Sequence, residues 1–297
     1  MAEVYLASRR DFLLRTQNVD GGWGYFPGKA SWLEPTAYAM LALNGAPASS
    51  DALGRAWARL QAWQRTDGSW RAGAQVEDST WATALAVTLC CLRRDPGPML
   101  DKGVHHLLLT AGSERSTTFR LMALLKIGRI EQDTEHPAWP WRHGTSSWIE
   151  PTAHTLVALK KARTRVRDRR LAWRIHEGEE MVLARRCADG GWNHGAAATF
   201  HIPAPSYPES TGLALLGLQG RAKDVGRSLE LARAQLRASE SMLAKVWLSI
   251  ALQSWGEAIT PPPDTSPIGN DVMLTALECI AHPQGNYRLL RTEGELA

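Results

Sequence analysis

The stretch Trp32-Leu33-Glu34-Pro35-Thr36-Ala37 returns almost unchanged further along the chain as Trp148-Ile149-Glu150-Pro151-Thr152-Ala153. Proline is well tolerated in the first turn of a helix, where its missing N–H needs no partner. Each copy therefore predicts a helix that starts with a carboxylate and continues as a run of small and apolar residues. Such recurrence is typical of a repeat array, in which every copy builds one unit of the fold.

The same order of segments recurs along the chain: an amphipathic helix, a Gly-Trp loop and a second helix rich in Ala, Leu and Thr. The apolar positions follow helical spacing, which predicts an all-α fold. Helices that are apolar on almost every side are buried, so we expect the second helices to form an inner ring inside the amphipathic ones. Six inner helices are expected at about residues 36, 80, 117, 152, 211 and 241, with a last helix near 270–282 closing the ring. An open solenoid is the alternative, although it would expose buried-type helices at both ends.

The composition is that of a globular protein, with 44% hydrophobic and 22% charged residues among 297. A net charge of +4 without a basic motif interleaved with aromatics argues against a nucleic-acid partner. The four cysteines form no C-x-x-C pair and the N-terminus has no apolar leader, which predicts a reduced, cytoplasmic protein. No apolar run approaches about 20 residues, so we expect no transmembrane helix. We expect one barrel domain over residues 1–284 and a loosely attached tail over 285–297.

Two segments have the pattern Gln-x-x-x-Gly-x-Trp, one over residues 17–23 and the other over 64–70. This pattern matches the QW motif of squalene–hopene cyclases and related class II terpene cyclases, and the wider repeat resembles the prenyltransferase and squalene-cyclase superfamily. The resemblance implies an (α/α)6 toroid, a small hydrophobic isoprenoid substrate, and cyclisation started by protonation without metal ionisation. A squalene cyclase pairs two such barrels. This chain has room for one, which implies a lone catalytic-type barrel or a second domain supplied in trans.

The proton donor of class II cyclases lies in an Asp-x-Asp-Asp-Thr motif at the start of an inner helix. Aligning that motif on its threonine gives four candidate acids: Glu34, Asp78, Glu150 and Glu209. The closest match lies within the segment 75–80, although the first aspartate of the motif is missing there and Ser79 replaces the last one. Asp78 with its neighbour Glu77 is the best single candidate. A carboxylate at a helix start also caps free N–H groups and meets the helix dipole favourably, so a structural role is the alternative for each acid.

Further candidates lie in the loops before the inner helices. His143 and His194 occupy the same place in two successive loops, where each could set the protonation of the next acid, Glu150 or Glu209. Bonding to backbone or solvent is the alternative for both histidines. Candidate substrate-lining residues flank the acids or, in the third repeat, replace the acid: Trp32, Trp81, Trp148, Tyr207 and Arg115.

Aromatic faces at those positions could stabilise a carbocation, stack on sugars or simply pack the core. A second group of tryptophans ends the Gly-Trp loops and is expected to pack between repeats: Trp23, Trp70, Trp141 and Trp192.

We expect no cofactor and no metal ion. Zinc-dependent prenyltransferase β subunits share this barrel, but the inner-helix starts of this chain offer no cysteine ligand. The chain also has no glycine-rich dinucleotide loop and no Asp-rich diphosphate–magnesium motif. The most basic stretch, residues 160–170, could attract a membrane surface or a diphosphate and make the protein membrane-peripheral. A solvated connector at the end opposite the acids is the alternative.

Three functions stay open. The first is a terpene cyclase-like enzyme that protonates a linear isoprenoid in a Trp-lined cavity. The second is a carbohydrate-active (α/α)6 enzyme, which would need two carboxyl groups about 5–10 Å apart. The third is a barrel that binds a ligand or partner without catalysis, because the third and fourth repeats are degenerate and the Asp motif is incomplete.

Overall fold

The computed structural model of this chain describes residues 2–76, 81–118, 121, 125, 135–199, 202–263 and 266–292. Its α-helices, numbered along the chain, are α1 Ala2–Arg15, α2 Leu33–Leu43, α3 Ser50–Trp63, α4 Trp81–Cys90, α5 Pro98–Leu109, α6 Ile149–Ala162, α7 Arg170–Ala184, α8 Pro208–Gly217, α9 Gly226–Ala238, α10 Met242–Ser254 and α11 Val272–Ala281. Two 3-10 turns, Ser113–Arg115 and Tyr287–Leu290, and one antiparallel pair of two-residue strands, Ala198–Thr199 with Ile202–Pro203, complete the regular structure of the described residues.

Six of these helices form a closed inner ring within the described part of the chain. Helix α2 contacts α4, α4 contacts α6, α6 contacts α8, α8 contacts α10, α10 contacts α11, and α11 returns to α2. Helices α1, α3, α5, α7 and α9 pack against the outside of this ring. The inner helices are buried along almost their whole length, as expected for helices that are apolar on every side. The all-α prediction is confirmed, and the architecture is an (α/α)6 toroid.

The ring closes at its last helix as expected and differs from the expectation at one place. Helix α11 contacts both of its ring neighbours and therefore occupies an inner position itself. Helix α4 packs directly against α6, although an inner helix beginning near residue 117 was expected between them. Most of that segment, residues 119–120, 122–124 and 126–134, lies outside the described residues.

Each Gly-Trp loop is fixed by one buried tryptophan. In the first repeat the indole Nε1 of Trp23 donates to the carbonyl of Leu13 in the preceding outer helix, at 2.7 Å. The backbone N–H of Trp23 donates to Thr36 Oγ1 in the following inner helix, at 2.9 Å. The same pair of bonds recurs at three further tryptophans, which are 0–2% exposed: Trp70, Trp139 and Trp192. The loop thus joins the outer and the inner helix of its own repeat.

The two glutamine motifs join successive repeats. Gln17 Nε2 donates to the carbonyl of Ala52 in the next outer helix at 2.8 Å, and Gln64 Nε2 donates to that of Met99 at 3.0 Å. Gly21 and Gly68 have positive φ, at 87° and 88°, and their Cα atoms face the backbone of the next outer helix so closely that a Cβ would collide with it. These residues hold the loops in one layer at one end of the ring, which we call the mouth.

The end of the ring opposite the mouth corrects two expectations. Lys160 and Lys161 are buried. Lys160 Nζ lies 2.6 Å from Glu179 and donates to the carbonyls of Gly217 and Gln219, so the basic run begins with two structural lysines instead of a free cationic surface. Residues 286–292 are also attached, contrary to the expected loose tail.

Asn286 Nδ2 anchors this C-terminal segment by donating to the carbonyls of Leu41 and Asn44. Leu290 is buried, and Lys161 Nζ donates to the carbonyl of Arg291 at 2.9 Å. Polar side chains of this segment thus satisfy carbonyl groups at the ends of inner helices, which is why it packs as part of the barrel.

Candidate active site

The first amides of α2, α6 and α11 are bonded to neighbouring loops. In α11 the N-cap is Asp271, whose side chain accepts from Leu274 N–H, whereas the acids of α2 and α6 lie inside the first turn. Leu33 N–H donates to the carbonyl of Ala72 at 2.8 Å, Ile149 N–H to that of His194 at 3.0 Å, and Val272 N–H to that of Tyr25 at 2.9 Å. In α2 and α6 no side chain at the N-cap position accepts a hydrogen bond. Glu34 and Glu150 in the first turns are therefore available for chemistry.

Glu34 is a buried carboxyl group held by a tyrosine. Tyr25 Oη donates to Glu34 Oε2 at 2.5 Å. Burial raises the pKa of Glu34 to about 7; the hydrogen bond from Tyr25 opposes that rise, and the negative charge of Asp271 adds to it. Tyr25 is fixed in turn, because its carbonyl accepts the first amide of α11.

Glu150 is the second acid and lies in the other copy of the duplicated stretch. Burial raises its pKa to about 8, and the charge of Glu34 contributes to the rise. Its side chain keeps 28% of its surface exposed, so the carboxyl group is recessed and still reachable. His154 Nε2 lies 4.0 Å from Glu150 Oε1, one helical turn further along α6.

An aromatic cluster lies below the two carboxyl groups. Tyr38 occupies in α2 the position that His154 occupies in α6, four residues after the glutamate, and Tyr38 Oη is 3.4 Å from His154 Nε2. Trp247 of α10 packs edge-on against both rings, with centroids 5.7 Å and 5.8 Å away. Burial lowers the pKa of His154 to about 4 and raises that of Tyr38 well above its usual range, so the cluster is uncharged at neutral pH.

The remaining predicted acids have different outcomes. Glu209 lies in the first turn of α8, and its Oε1 accepts a hydrogen bond from Ser241 Oγ at 3.3 Å. Asp78 and Glu77 lie outside the described residues. In that repeat Trp70 N–H donates to Thr83, so Thr83 is the counterpart of Thr36 and the alignment on Thr80 is three residues out of register.

The corrected register changes which residue of the second repeat is equivalent to Glu34. Thr36 follows Glu34 by two residues, and the residue two before Thr83 is Trp81. An aromatic ring therefore occupies the acid's place at the start of α4. Its centroid is 5.3 Å from that of Trp141, in an edge-on contact. Trp141 is thus not the loop-fixing tryptophan of its repeat, a role that Trp139 has.

The predicted loop histidines are exposed and His154 was missed. His143 and His194 are exposed residues, and the ring of His194 lies 5.2 Å from that of Tyr207. The histidine that the structure places beside Glu150 is His154, at 4.0 Å. The signal in the sequence was its spacing of four residues from Glu150 combined with an aromatic residue at the same place in the first copy.

The predicted substrate-lining residues also differ in their exposure. Trp32 is half-buried beside Tyr25, with ring centroids 6.1 Å apart, whereas Trp148 and Tyr207 are 38% and 42% exposed. Arg115 is exposed. The buried group next to Arg115 is Glu114, whose Oε1 pairs with Arg185 at 3.0 Å and accepts from the backbone N–H of Ser147. Glu114 therefore holds the loop before α6 and belongs to the scaffold.

The two carboxyl groups together form an acid site in apolar surroundings. Among the described residues, no lysine or arginine offsets the effect of burial on the pKa of Glu34 or Glu150. Within the described ranges, no cluster of three or more His, Cys, Asp or Glu side chains could hold a metal ion. The arrangement can keep a proton at neutral pH, deliver it to a substrate, and stabilise a positive charge with aromatic faces.

Two curated relatives share parts of this sequence. An uncharacterized protein y4kT of Sinorhizobium fredii is 30% identical in an alignment 182 positions long that covers 54% of this chain and 32% of that protein. Drimenyl diphosphate synthase of Streptantibioticus cattleyicolor is 47% identical over 60 residues, which are 20% of this chain and 11% of that enzyme. The matched segments thus span a third or less of these longer relatives. No protein-family model matches the chain.

Solved structures share the fold at low sequence identity. The type II terpene cyclase MstE from Scytonema, in complex with geranylgeranyl dihydroxybenzoate, aligns over 86% of this chain and 72% of its own, with a TM-score of 0.56 and 14% identity. The family 8 endoglucanase Cel10 from Klebsiella pneumoniae aligns over 93% and 98%, with a TM-score of 0.57 and 13% identity. Both terpene cyclases and glycosyl hydrolases therefore have this toroid, and the fold alone selects neither. Among the described residues, every helix is too short or too polar to cross a bilayer.

Proposed function

We propose that this chain is a terpene cyclase-like enzyme that binds a linear isoprenoid and starts its cyclisation by proton transfer from Glu150. The observation that carries the proposal is the pair Glu34 and Glu150, with pKa values raised to about 7 and about 8, above a cluster of uncharged aromatic rings. The segment shared with drimenyl diphosphate synthase supports it from the sequence.

The two carboxyl groups have unequal roles in this proposal. Glu150 has the higher pKa and carries a proton at neutral pH. Glu34 accepts a hydrogen bond from Tyr25, which favours its ionised form, so that Glu34 is the base of the pair. Glu150 transfers its proton to a double bond, which forms a C–H bond and a carbocation. Ring closure moves the charge along the substrate, and loss of a proton to Glu34 or water ends the reaction.

A carboxyl group with a raised pKa is a weak acid, so alkene protonation depends on stabilisation of the cation that forms. Trp247 and Tyr38 lie beneath the acids, and Tyr25 and Trp32 stand beside Glu34. Each aromatic face can contribute about 0.5–2 kcal/mol to the stabilisation of a cation. The rings would act on the transition state and not on the uncharged substrate, which is what accelerates a reaction.

The proposal is tested by incubating the purified protein with linear isoprenoids, from geranyl diphosphate to squalene, and analysing the products by mass spectrometry. Glu150→Gln keeps the shape of the site but has no proton to give, so we expect turnover to fall by about 10²–10⁴-fold, the usual contribution of a general acid. Glu230→Gln, on the exposed face of α9, is the matched control and should keep full activity. Binding of an isoprenoid without turnover would instead indicate a non-catalytic barrel, and no binding at all would refute the proposal.

Glycoside hydrolysis is the second candidate function, because two coupled carboxyl groups with unequal pKa values also suit an acid–base pair at a glycosidic bond. Sugar sites need many polar groups for the hydroxyl groups of the substrate, whereas the described surroundings of Glu34 and Glu150 are mainly aromatic. Release of reducing sugar from cellulose or mannan oligosaccharides, lost in Glu150→Gln, would favour this candidate over the isoprenoid one.

A further inference from the structure

A cavity of about 700 Å³ lies outside the barrel, where a sixth outer helix would complete the toroid. The described part of the connection between α10 and α11, residues 255–263 and 266–271, contains no helix. The space next to α10 and α11, between α1 and α9, is therefore left unfilled. Its volume is within the range of about 300–1,000 Å³ that is typical of small-molecule sites.

A proline-rich segment covers this cavity and is fixed at both ends. We call residues 257–263 and 266–267 the strap. Arg233 of α9 binds Glu257 at its start through two contacts of 2.8 Å. Arg9 of α1 donates to the carbonyls of Ser266 and Pro267 at its other end, at 3.3 Å and 3.5 Å. The run 261–263 is all proline and has no backbone N–H to pair with the helices beneath, so the strap stays apart from them.

The charges around the cavity leave one end positive. Both carboxylates in its wall are paired, Glu257 with Arg233 and Glu278 with Arg9 at 2.8 Å. Arg237 and Lys245 also line the wall, and no described residue forms an ion pair with either. They stand at the end of α9 and the start of α10, which is the mouth end of the cavity.

The floor between this positive end and the far end is mainly apolar, with Ser249 of α10 as a polar residue within it. Val246 and Leu252 of α10 and Ile259 of the strap line it, and Tyr5 stacks on His282 at the far end. From Lys245 to Leu252 the helix rises by about 10 Å, at 1.5 Å per residue. The cavity thus combines an elongated, mainly apolar floor with two unpaired cations at one end.

We propose that the strap cavity binds an amphiphile with one flexible apolar chain and an anionic head. The chain lies on α10 beneath the strap, and the head is bound by Arg237 and Lys245. A fatty acid and a prenyl diphosphate share this chemistry. The site is separate from Glu34 and Glu150, and it does not depend on the function proposed for them.

Calorimetric titration with dodecanoic acid, dodecanol and geranyl diphosphate tests the binding. We expect one equivalent of dodecanoic acid to bind at least about tenfold more tightly than dodecanol, because only the acid forms charge-assisted bonds. The double variant R237Q/K245Q should lose about tenfold in affinity for the acid, whereas Lys223→Gln, which removes an exposed cation outside the cavity, should lose nothing. Tighter binding of geranyl diphosphate than of the acid would identify a prenyl diphosphate as the ligand, and the reverse order a fatty acid.

A crystal structure with 12-bromododecanoic acid locates the chain independently of affinity. Anomalous signal from bromine between α10 and the strap supports the proposal. Bromine in the central barrel, equal binding of acid and alcohol, or an unchanged affinity in R237Q/K245Q would overturn it. Ala258→Trp, a substitution at an exposed strap residue that lines the cavity, should block binding without loss of fold, which circular dichroism would verify.

Discussion

At the scale of single residues, the duplicated stretch gives two glutamates different neighbours. Glu34 has a phenol within hydrogen-bond distance, and Glu150 has the ring of His154 at 4.0 Å. Burial prevents His154 from becoming charged at neutral pH, with a pKa of about 4, so it cannot serve as a cationic partner that would keep Glu150 ionised. The two side chains therefore differ in proton affinity although their local sequences are nearly identical.

Tyr25→Phe should move the two carboxyl pKa values in opposite directions. Loss of the hydrogen bond raises the pKa of Glu34, because the phenol favours the ionised form. A less ionised Glu34 repels the charge on Glu150 less, so the pKa of Glu150 falls. Titration of ¹³C-labelled glutamate carboxyl groups by NMR measures both. Unchanged values for both acids would show that Tyr25 does not act on the pair.

At the scale of elements, a threonine near the start of four inner helices, α2, α4, α6 and α8, sets the register of its repeat. Thr36, Thr83, Thr152 and Thr211 all accept from a buried tryptophan N–H at 2.9–3.2 Å. An unsatisfied buried N–H costs about 1–3 kcal/mol. This bond, and not the acid, is thus the structural constant of the repeat, which leaves the acid position free to vary between glutamate and tryptophan.

Thr83→Val and Thr152→Val should each lower the free energy of unfolding by about 1–3 kcal/mol, since valine has the same shape but cannot accept the tryptophan N–H. Urea denaturation measures the change. Thr145→Val is the control, because Thr145 is exposed and its hydroxyl donates only to the carbonyl of Arg142. If Thr83→Val were as neutral as this control, the register assigned to the second repeat would be wrong.

The sequence predicted the repeats, the helix type and two of the acids, but it could not resolve ambiguities of a few residues. Thr80 and Thr83 are one helical turn apart, and only the bond from Trp70 selects between them. Trp139 and Trp141 are two residues apart, and only burial shows which one fixes the loop. A lone histidine in an apolar helix is typical of a core residue. Only the three-dimensional contacts of His154 with Tyr38 of α2 and Trp247 of α10 show that it lies beneath the acids.

At the scale of the whole molecule, closure of the ring depends on its last segments. Helix α11 joins α10 to α2, and the chain after it is held across the end opposite the mouth. Asn286 alone donates to three carbonyls, those of Leu41, Ala42 and Asn44. The C-terminal segment thus connects the last helix to the end of the first inner helix.

Asn286→Ala should lower the free energy of unfolding by about 1 kcal/mol, because the partly buried carbonyl groups of Leu41 and Ala42 lose their donor. Thermal unfolding followed by circular dichroism measures the loss. Gln284→Ala, at an exposed neighbouring position, is the control. Equal stability of the two variants would mean that the segment is not part of the folded unit.

The raised pKa of Glu150 should make the stability of the protein depend on pH. A carboxyl group whose pKa is raised on folding binds more protons in the folded than in the unfolded state, so its contribution is lost as pH rises. For Glu150, the loss spans the range from its ordinary value of 4.5 to about 8. We expect wild type to lose roughly 2–4 kcal/mol across this range, discounted for the exposed part of the side chain, and Glu150→Gln to lose clearly less. The same slope in both proteins would exclude Glu150 as the source.

The most direct measurement is the titration of Glu150 itself, by ¹³C NMR of protein labelled at the glutamate carboxyl carbons. One resonance should titrate with a midpoint of about 8 and be missing from Glu150→Gln, and a second should titrate near 7 and be missing from Glu34→Gln. These values would mean that the mouth of the barrel holds an acid that is protonated at neutral pH. A Glu150 resonance that titrates near 4.5, like that of an exposed glutamate, would contradict the assignment of Glu150 as the proton donor.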